Sequence, residues 1–219
     1  MQNILQHMIS DPELLHPSIH TNLVATQVCA VAMGPNPVLR YHKANTNFPD
    51  EARQPVHSDV HYEHPRACFA LAVNRIPVDC DAFMGSNEMW LDTHNVTYSR
   101  DQDGVRGIFP HLLAERRKVC PPIQPSLKRG SIIIRDMRLW HAGMPNKTED
   151  TVRVKINLIY FANWYRCPMQ IKFPPSAKER NEELEKLSGT TIAAQYVEGL
   201  NHMTLRHTHD FGQDDKREH

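Results

Sequence analysis

The sequence predicts a mainly β protein, a sandwich or barrel and not a fold of alternating strands and helices. Three observations predict it. Short apolar runs rich in β-branched residues, Phe69-Ala70-Leu71-Ala72-Val73, Ser131-Ile132-Ile133-Ile134 and Val152 to Phe161, have the length of strands. Polar and Pro-rich stretches such as Cys120-Pro121-Pro122-Ile123-Gln124-Pro125 separate them, without the regular helices that parallel crossovers need. At 219 residues the chain is long enough for one such domain with a substantial core, so a single domain over 1–219 is expected.

Taken in order, residues 1–37 read as a peripheral lead-in. Ser10-Asp11-Pro12 can cap a short helix with proline at its first position, and Gly34-Pro35-Asn36-Pro37 breaks the chain. From Val38 the texture changes to short apolar runs between turn-formers, and 38–165 is the expected β core. In its last strand Val152, Val154, Ile156, Leu158 and Tyr160 share one side while Arg153, Lys155 and Asn157 occupy the other. Such a polar side either meets water or lines a ligand cavity in a barrel wide enough to enclose a small molecule. After Pro174-Pro175, Ser176 can cap a charged helix from Ala177 to Leu187 that ends at Gly189. A second helical turn is expected around Ile192 to Val197, and the polar end from His207 is expected to fray, making 176–219 a helical and polar tail.

Lys+Arg and Asp+Glu balance at 25 each, so no global field exists to collect nucleic acid or an anionic membrane. Arg116-Arg117-Lys118 is a local run that reads as a solvated loop or helix end. The five cysteines form no C-x-x-C pair and are odd in number, which fits reduced thiols. No apolar run approaches the ~20 residues of a membrane span, and a cytoplasmic protein is the expectation.

Candidate chemistry concentrates in Pro55-Val56-His57-Ser58-Asp59, answered far downstream by Trp140-His141-Ala142-Gly143 and then Arg153. Two imidazoles and a carboxylate are the donor set that holds non-haem Fe(II) on one face and leaves positions open for a cosubstrate and dioxygen. On a strand, i and i+2 project to one side, so His57 and Asp59 can reach the same ion, and His141 offers a third donor.

Together with Gly85 to His94 and the block from Arg129-Gly130-Ser131 through Asp136, His141 and Asn146 to Arg153, this segment closely resembles the phytanoyl-CoA dioxygenase family of Fe(II)/2-oxoglutarate oxygenases. The resemblance covers roughly residues 38 to 165. It implies a double-stranded β-helix, the jelly-roll or cupin-like barrel, with peripheral helices at both termini. It also implies an Fe(II)/2-oxoglutarate-dependent dioxygenase that uses O2 to hydroxylate, desaturate, epoxidise or cyclise a small, largely apolar metabolite of lipid-like or secondary-metabolic type. His57, Asp59 and His141 then bind the metal, Arg153 pairs with the distal carboxylate of 2-oxoglutarate, and Asn87 falls where a polar side chain touches the cosubstrate. A planar guanidinium suits that carboxylate better than a lysine would.

The chain departs from the family in places. Leu91-Asp92-Thr93-His94 replaces P-G-S-H, and Pro55 stands where relatives carry a glutamine. The lead-in before His57 is short, so a barrel strand is at risk and an edge with it; a homodimer could pair that edge. Two other readings stay open, a degenerate binding protein without catalysis and a cupin-like metal enzyme that uses no oxo-acid. A zinc site from His57, His61 and His64 needs a helix that Pro55 and Pro65 prevent. His61 and His64 read as a polar rim, His94 as structural, and Trp90, Trp140 and Trp164 as core or cavity wall. Glu63 receives no role, and Cys68 and Cys80 read as small buried residues.

Overall fold

A ten-residue strand organises the molecule. In the computed structural model, which describes residues 3–103, 107–205 and 210–213, the strands in chain order are β1 (Asn3–His7), β2 (Val38–Asn47), β3 (Ala70–Arg75), β4 (Glu88–Met89), β5 (Gln102–Asp103), β6 (Gly107–Ile108), β7 (Ile132–Asp136), β8 (His141–Ala142), β9 (Arg153–Phe161), β10 (Ile171–Phe173), β11 (Thr191–Ile192) and β12 (Ala194–Tyr196). The helices are α1 (Pro17–His20), α2 (Leu23–Met33), α3 (Pro110–Val119) and α4 (Lys178–Ser188).

The main sheet runs β1-β2-β9-β3-β7, every neighbour antiparallel. β2 pairs with β9 from Val38↔Phe161 to Asn47↔Arg153, with one bulge between Leu39 and Tyr41. Its other edge is divided: β1 covers it from Lys43 to Asn47, and β11 joins in parallel at Val38 and Leu39. The lead-in is therefore no peripheral appendage. Its first residues complete the flank of β2, so that β1 and not β2 is the terminal strand on this side of the sheet.

The alternation along β9 is what divides the molecule into two sides. Ile156, Leu158 and Tyr160 enter a core with Leu71, Val73 and, from α2, Ala25, Cys29 and Met33. The α2 residues recur every fourth position and so form one stripe. Asn22 caps that helix through Oδ1, which accepts from the Ala25 N–H at 3.2 Å, and Gly34 stops it at φ 96°. Tyr160 closes the core by donating its hydroxyl to the His20 carbonyl at 2.6 Å. Burying a side chain such as Leu158 contributes about 1.5–3 kcal/mol before entropy is counted.

The opposite layer is fragmentary. β4 pairs with β8 and β5 with β6, joined by single bridges at His57↔His141, Met89↔Ile123, Cys80↔Leu127 and Asp50↔Asn146. Val56, Trp90, Ile108, Trp140 and Ala142 form a second small core there. The mainly β jelly-roll expectation is met, with a barrel that the described strands do not close by continuous pairing.

α4 spans Lys178–Ser188 behind a turn at Pro175–Ala177 and ends at a left-handed Gly189, so Ser176 lies in the turn and not at the cap. The helical turn expected at 192–197 is absent: Thr191–Ile192 joins β2 and Ala194–Tyr196 joins β10 as strands. Alanine and glutamine favour a helix locally, but sheet partners decide. Arg116, Arg117 and Lys118 occupy the last turn of α3, where they complement the helix dipole. Trp164 is exposed, against the expectation, while Trp90 and Trp140 are buried. Most of the stretch expected to fray from His207 lies outside the described residues.

Candidate metal centre

His57 and His141 come together through the backbone first. Each donates its N–H to the other's carbonyl at 2.9 Å, a single antiparallel bridge that sets the two rings 4.4 Å apart between centroids. The turn that follows is held by the buried Gln102, whose Oε1 accepts from the Ser58 N–H at 2.9 Å and whose Nε2 donates to the carbonyls of Ser58 and Val60 at 3.1 Å. Asp59 therefore lies in a bend and not on a regular strand, yet still faces the same side as His57.

Both rings are oriented alike. His57 Nδ1 lies 2.8 Å from the Pro55 carbonyl and His141 Nδ1 lies 3.0 Å from the Leu139 carbonyl. A carbonyl only accepts, so each Nδ1 carries a proton and Nε2 is the ring nitrogen left to face the centre. Those nitrogens lie 3.8 Å and 3.6 Å from Asp59 Oδ1, and one donor atom from each of the three residues fits within 4.8 Å of the others. The other carboxylate oxygen, Oδ2, accepts from Arg135 Nη2 at 2.5 Å. Burial would raise the Asp59 pKa, but Arg135, by its charge and its hydrogen bond, opposes it and the carboxyl is held well below its usual range. Burial, and then Arg135, push His141 well below the usual imidazole value, which keeps it neutral. An ionised carboxylate and neutral imidazoles are the states a divalent metal requires.

The centre opens on a cavity of about 280 Å³ between the two layers. Along its β9 wall the residues change from cationic to apolar: Arg153, Lys155, Asn157, Ile159. Leu5, Tyr41 and Phe211 add the remaining large apolar surface. Arg153 is only 2 % exposed and, among the described residues, has no carboxylate partner. Its Nη1 and Nη2 make long hydrogen bonds, 3.4 Å to Asn45 Oδ1 and 3.3 Å to the Gly85 carbonyl, and its Nε is buried without an acceptor. Lys155 donates to Asn87 Oδ1 at 3.1 Å; burial, then Arg153 and Arg135, lower its pKa to about 7. Arg135 keeps two further nitrogens buried and without acceptors. Three cationic side chains thus face one carboxylate across the lining, a wall that favours an anionic ligand.

Gly85 makes the Arg153 contact feasible. Its φ is 77°, and a Cβ there would stand 2.7 Å from the carbonyl oxygens of Met144 and Pro145. Only glycine lets this loop lie so close to the strand end while its carbonyl accepts from the guanidinium.

All five residues singled out in the sequence, His57, Asp59, His141, Arg153 and Asn87, line this one cavity. His61, His64 and His94 do not; His64 stacks on Phe69 and His94 lies in a 3-10 turn. Glu63 accepts from Ser99 away from the centre. Arg135 and Gln54 escaped sequence reasoning. Gln54 lines the cavity and accepts the Gly143 N–H at 2.9 Å, one residue before the proline that replaces the expected glutamine.

No protein-family model matches the chain. Among solved structures it is similar to EctD from S. alaskensis in its apoform (TM-score 0.55, 18 % identity, covering 74 % of this chain and 57 % of that one). It is also similar to AviO1 from Streptomyces viridochromogenes Tue57 (TM-score 0.50, 20 %, covering 64 % and 57 %), and to EvdMO1 (TM-score 0.50, 21 %, covering 63 % and 30 %). The chain thus spans between about a third and three-fifths of the length of these structures, and what it shares with them is the fold. A second EctD structure (TM-score 0.52, 17 %, covering 74 % and 56 %) contains 2-oxoglutarate and 5-hydroxyectoine.

Proposed function

We propose that residues 1–219 act as one unit, a non-haem Fe(II)/2-oxoglutarate-dependent dioxygenase that oxidises a small organic molecule. In this reading His57, Asp59 and His141 hold the iron, and Arg153 and Asn87 meet the cosubstrate. The observation that carries it is the Arg153 guanidinium, buried with no carboxylate partner among the described residues in the wall of the cavity that His57, Asp59 and His141 also line. Leaving such a charge unpaired is costly, and a dicarboxylate offers the bidentate partner it lacks. The EctD structure with bound 2-oxoglutarate supports the choice of oxo-acid through the shared fold.

When bound, iron together with 2-oxoglutarate and O2 supplies oxidation of a substrate C–H bond coupled to release of succinate and CO2. The chain's own residues do the rest. The Pro55 and Leu139 carbonyls fix the imidazole tautomers, and Arg135 keeps Asp59 ionised. Arg153 and Lys155 make the end of the cavity where a carboxylate would be drawn, away from Tyr41, Ile159 and Phe211. The largely apolar metabolite expected from the family finds three large apolar side chains together at that opposite end, so its apolar part is placed there. A small molecule, with neither nucleic acid nor membrane, is the proposed partner; no described helix is long and apolar enough to cross a membrane. The five cysteines are unpaired, which supports the reducing cytoplasm as its location.

Two variants separate the roles. His141→Ala removes a metal donor, so Fe(II) binding and 2-oxoglutarate-dependent succinate formation should both be lost. Arg153→Ala should keep Fe(II) binding but weaken 2-oxoglutarate by roughly 30-fold or more, the result of truncating one partner of a buried charge pair worth ~2–5 kcal/mol. Arg153→Lys should recover part of that loss. Unchanged 2-oxoglutarate affinity in Arg153→Ala would overturn the cosubstrate assignment.

A further inference from the structure

A second cavity, of about 370 Å³, shares Tyr41 in its lining with the first. Where the iron cavity carries Asp59, this one has no Asp or Glu among the described residues that line it, yet Arg40, Lys43 and Lys172 do, with His7 and His42 beside them. Lys43 is 3 % exposed and its ammonium has no hydrogen-bond acceptor; it stands over the Tyr41 ring, 5.1 Å from Nζ to centroid. Arg40 is anchored by one nitrogen on the Met169 carbonyl at 3.0 Å, while its Nε is buried without an acceptor. Burial lowers the pKa of both groups, and no carboxylate acts on either to raise it again. Buried cations normally sit in ion pairs or on acceptors, and here the buried Lys43 and the half-buried Arg40, both on β2, share a lining without an acid.

We infer that this cavity is a second ligand site, which takes the phosphate or carboxylate group of a small molecule between Arg40 and Lys43. An anion there supplies the charge-assisted acceptors that both side chains lack. Two sources share that chemistry. The anion can be a free ion, or it can be the tail of the oxidised substrate, reaching past Tyr41 from the iron cavity. The second source rests on the oxygenase reading above; the site itself does not.

Isothermal titration of the full chain with inorganic phosphate tests the site without iron or turnover. Wild type and Arg153→Gln should share one phosphate-binding event, which Lys43→Gln and Arg40→Gln, each checked for folding by circular dichroism, should weaken roughly tenfold or more. If both variants fold and bind as wild type does, if phosphate binding is lost in Arg153→Gln instead, or if wild type binds no phosphate, the inference is wrong. Titration with 1-octyl phosphate then distinguishes the sources. Affinity above that of phosphate, reduced again in Tyr41→Ala, assigns the anion to a substrate tail, while equal affinity assigns it to a free ion. Failure of 2-oxoglutarate turnover would leave the phosphate result standing.

Discussion

Lys155 stands two residues from Arg153 on β9, so both side chains enter the same cavity wall. Burial is the largest cause of its low pKa, about 7, with Arg153 and Arg135 adding to it and Asp59 and Cys80 opposing. The unfolded chain holds that proton to about pH 10.4. Between the two values the unfolded state binds more protons, so this residue alone makes stability rise with pH over that window. A bound carboxylate reverses the preference by favouring the charged amine. Binding of 2-oxoglutarate should therefore take up a proton above pH 7, its affinity falling toward roughly tenfold per pH unit there. Titrations between about pH 6 and 9 should show this slope in wild type and none in Lys155→Met. A flat wild-type profile would place the amine away from the cosubstrate. This pair was half legible: strand parity puts Arg153 and Lys155 on one side, whereas Arg135 reaches Asp59 from 76 positions away, and no local pattern announces that contact.

At the scale of elements, β9 was readable because polar and apolar residues alternate from Arg153 to Leu158, while β1 and β11 were not, because short strands carry little signal until β2 is there to pair with them. The loop at Gly85 carries more than its sequence discloses. Besides the Met144 and Pro145 carbonyls, a Cβ would stand 2.9 Å from Asn47 Nδ2, itself donating to the Met144 carbonyl at 3.2 Å. Gly130 shares the positive φ, 89°, with nothing within 4 Å of its Cβ position. Comparing Gly85→Ala with Gly130→Ala thus cancels the dihedral penalty and leaves the collision. Gly130→Ala should cost about 1 kcal/mol and Gly85→Ala roughly 1–3 kcal/mol more, by denaturant unfolding. Gly85→Ala should also weaken 2-oxoglutarate, since its carbonyl holds the guanidinium. Equal stability of the two variants would show that the loop yields freely.

For the whole molecule, the jelly-roll was legible through resemblance and the short lead-in put a strand at risk, but which layer would be fragmentary was not legible. Continuous pairing holds one layer, and the other depends on single bridges, among them His57↔His141. Side chains on that bridge and on the bend after it converge on one point. A divalent ion at that point ties the bend to the bridge and offsets the mutual proximity of three electron-rich donors, so it should bind the folded chain and not the unfolded one. A ligand at a hundred times its Kd stabilises by about 2.7 kcal/mol. At ~2–4 °C per kcal/mol for a chain of this size, that predicts a rise in Tm of roughly 5–11 °C. Anaerobic Fe(II), or Mn(II) as a redox-inert substitute, should produce it in thermal unfolding, and a chelator should reverse it. Arg153→Ala should keep the full shift because the guanidinium donates nothing to the metal. His141→Ala should lose most of it, having lost one donor of three. A Tm that Mn(II) leaves unchanged in wild type, or raises equally in His141→Ala, would mean that these three side chains do not form a metal centre, and the oxidative chemistry proposed for the chain would lose its physical basis.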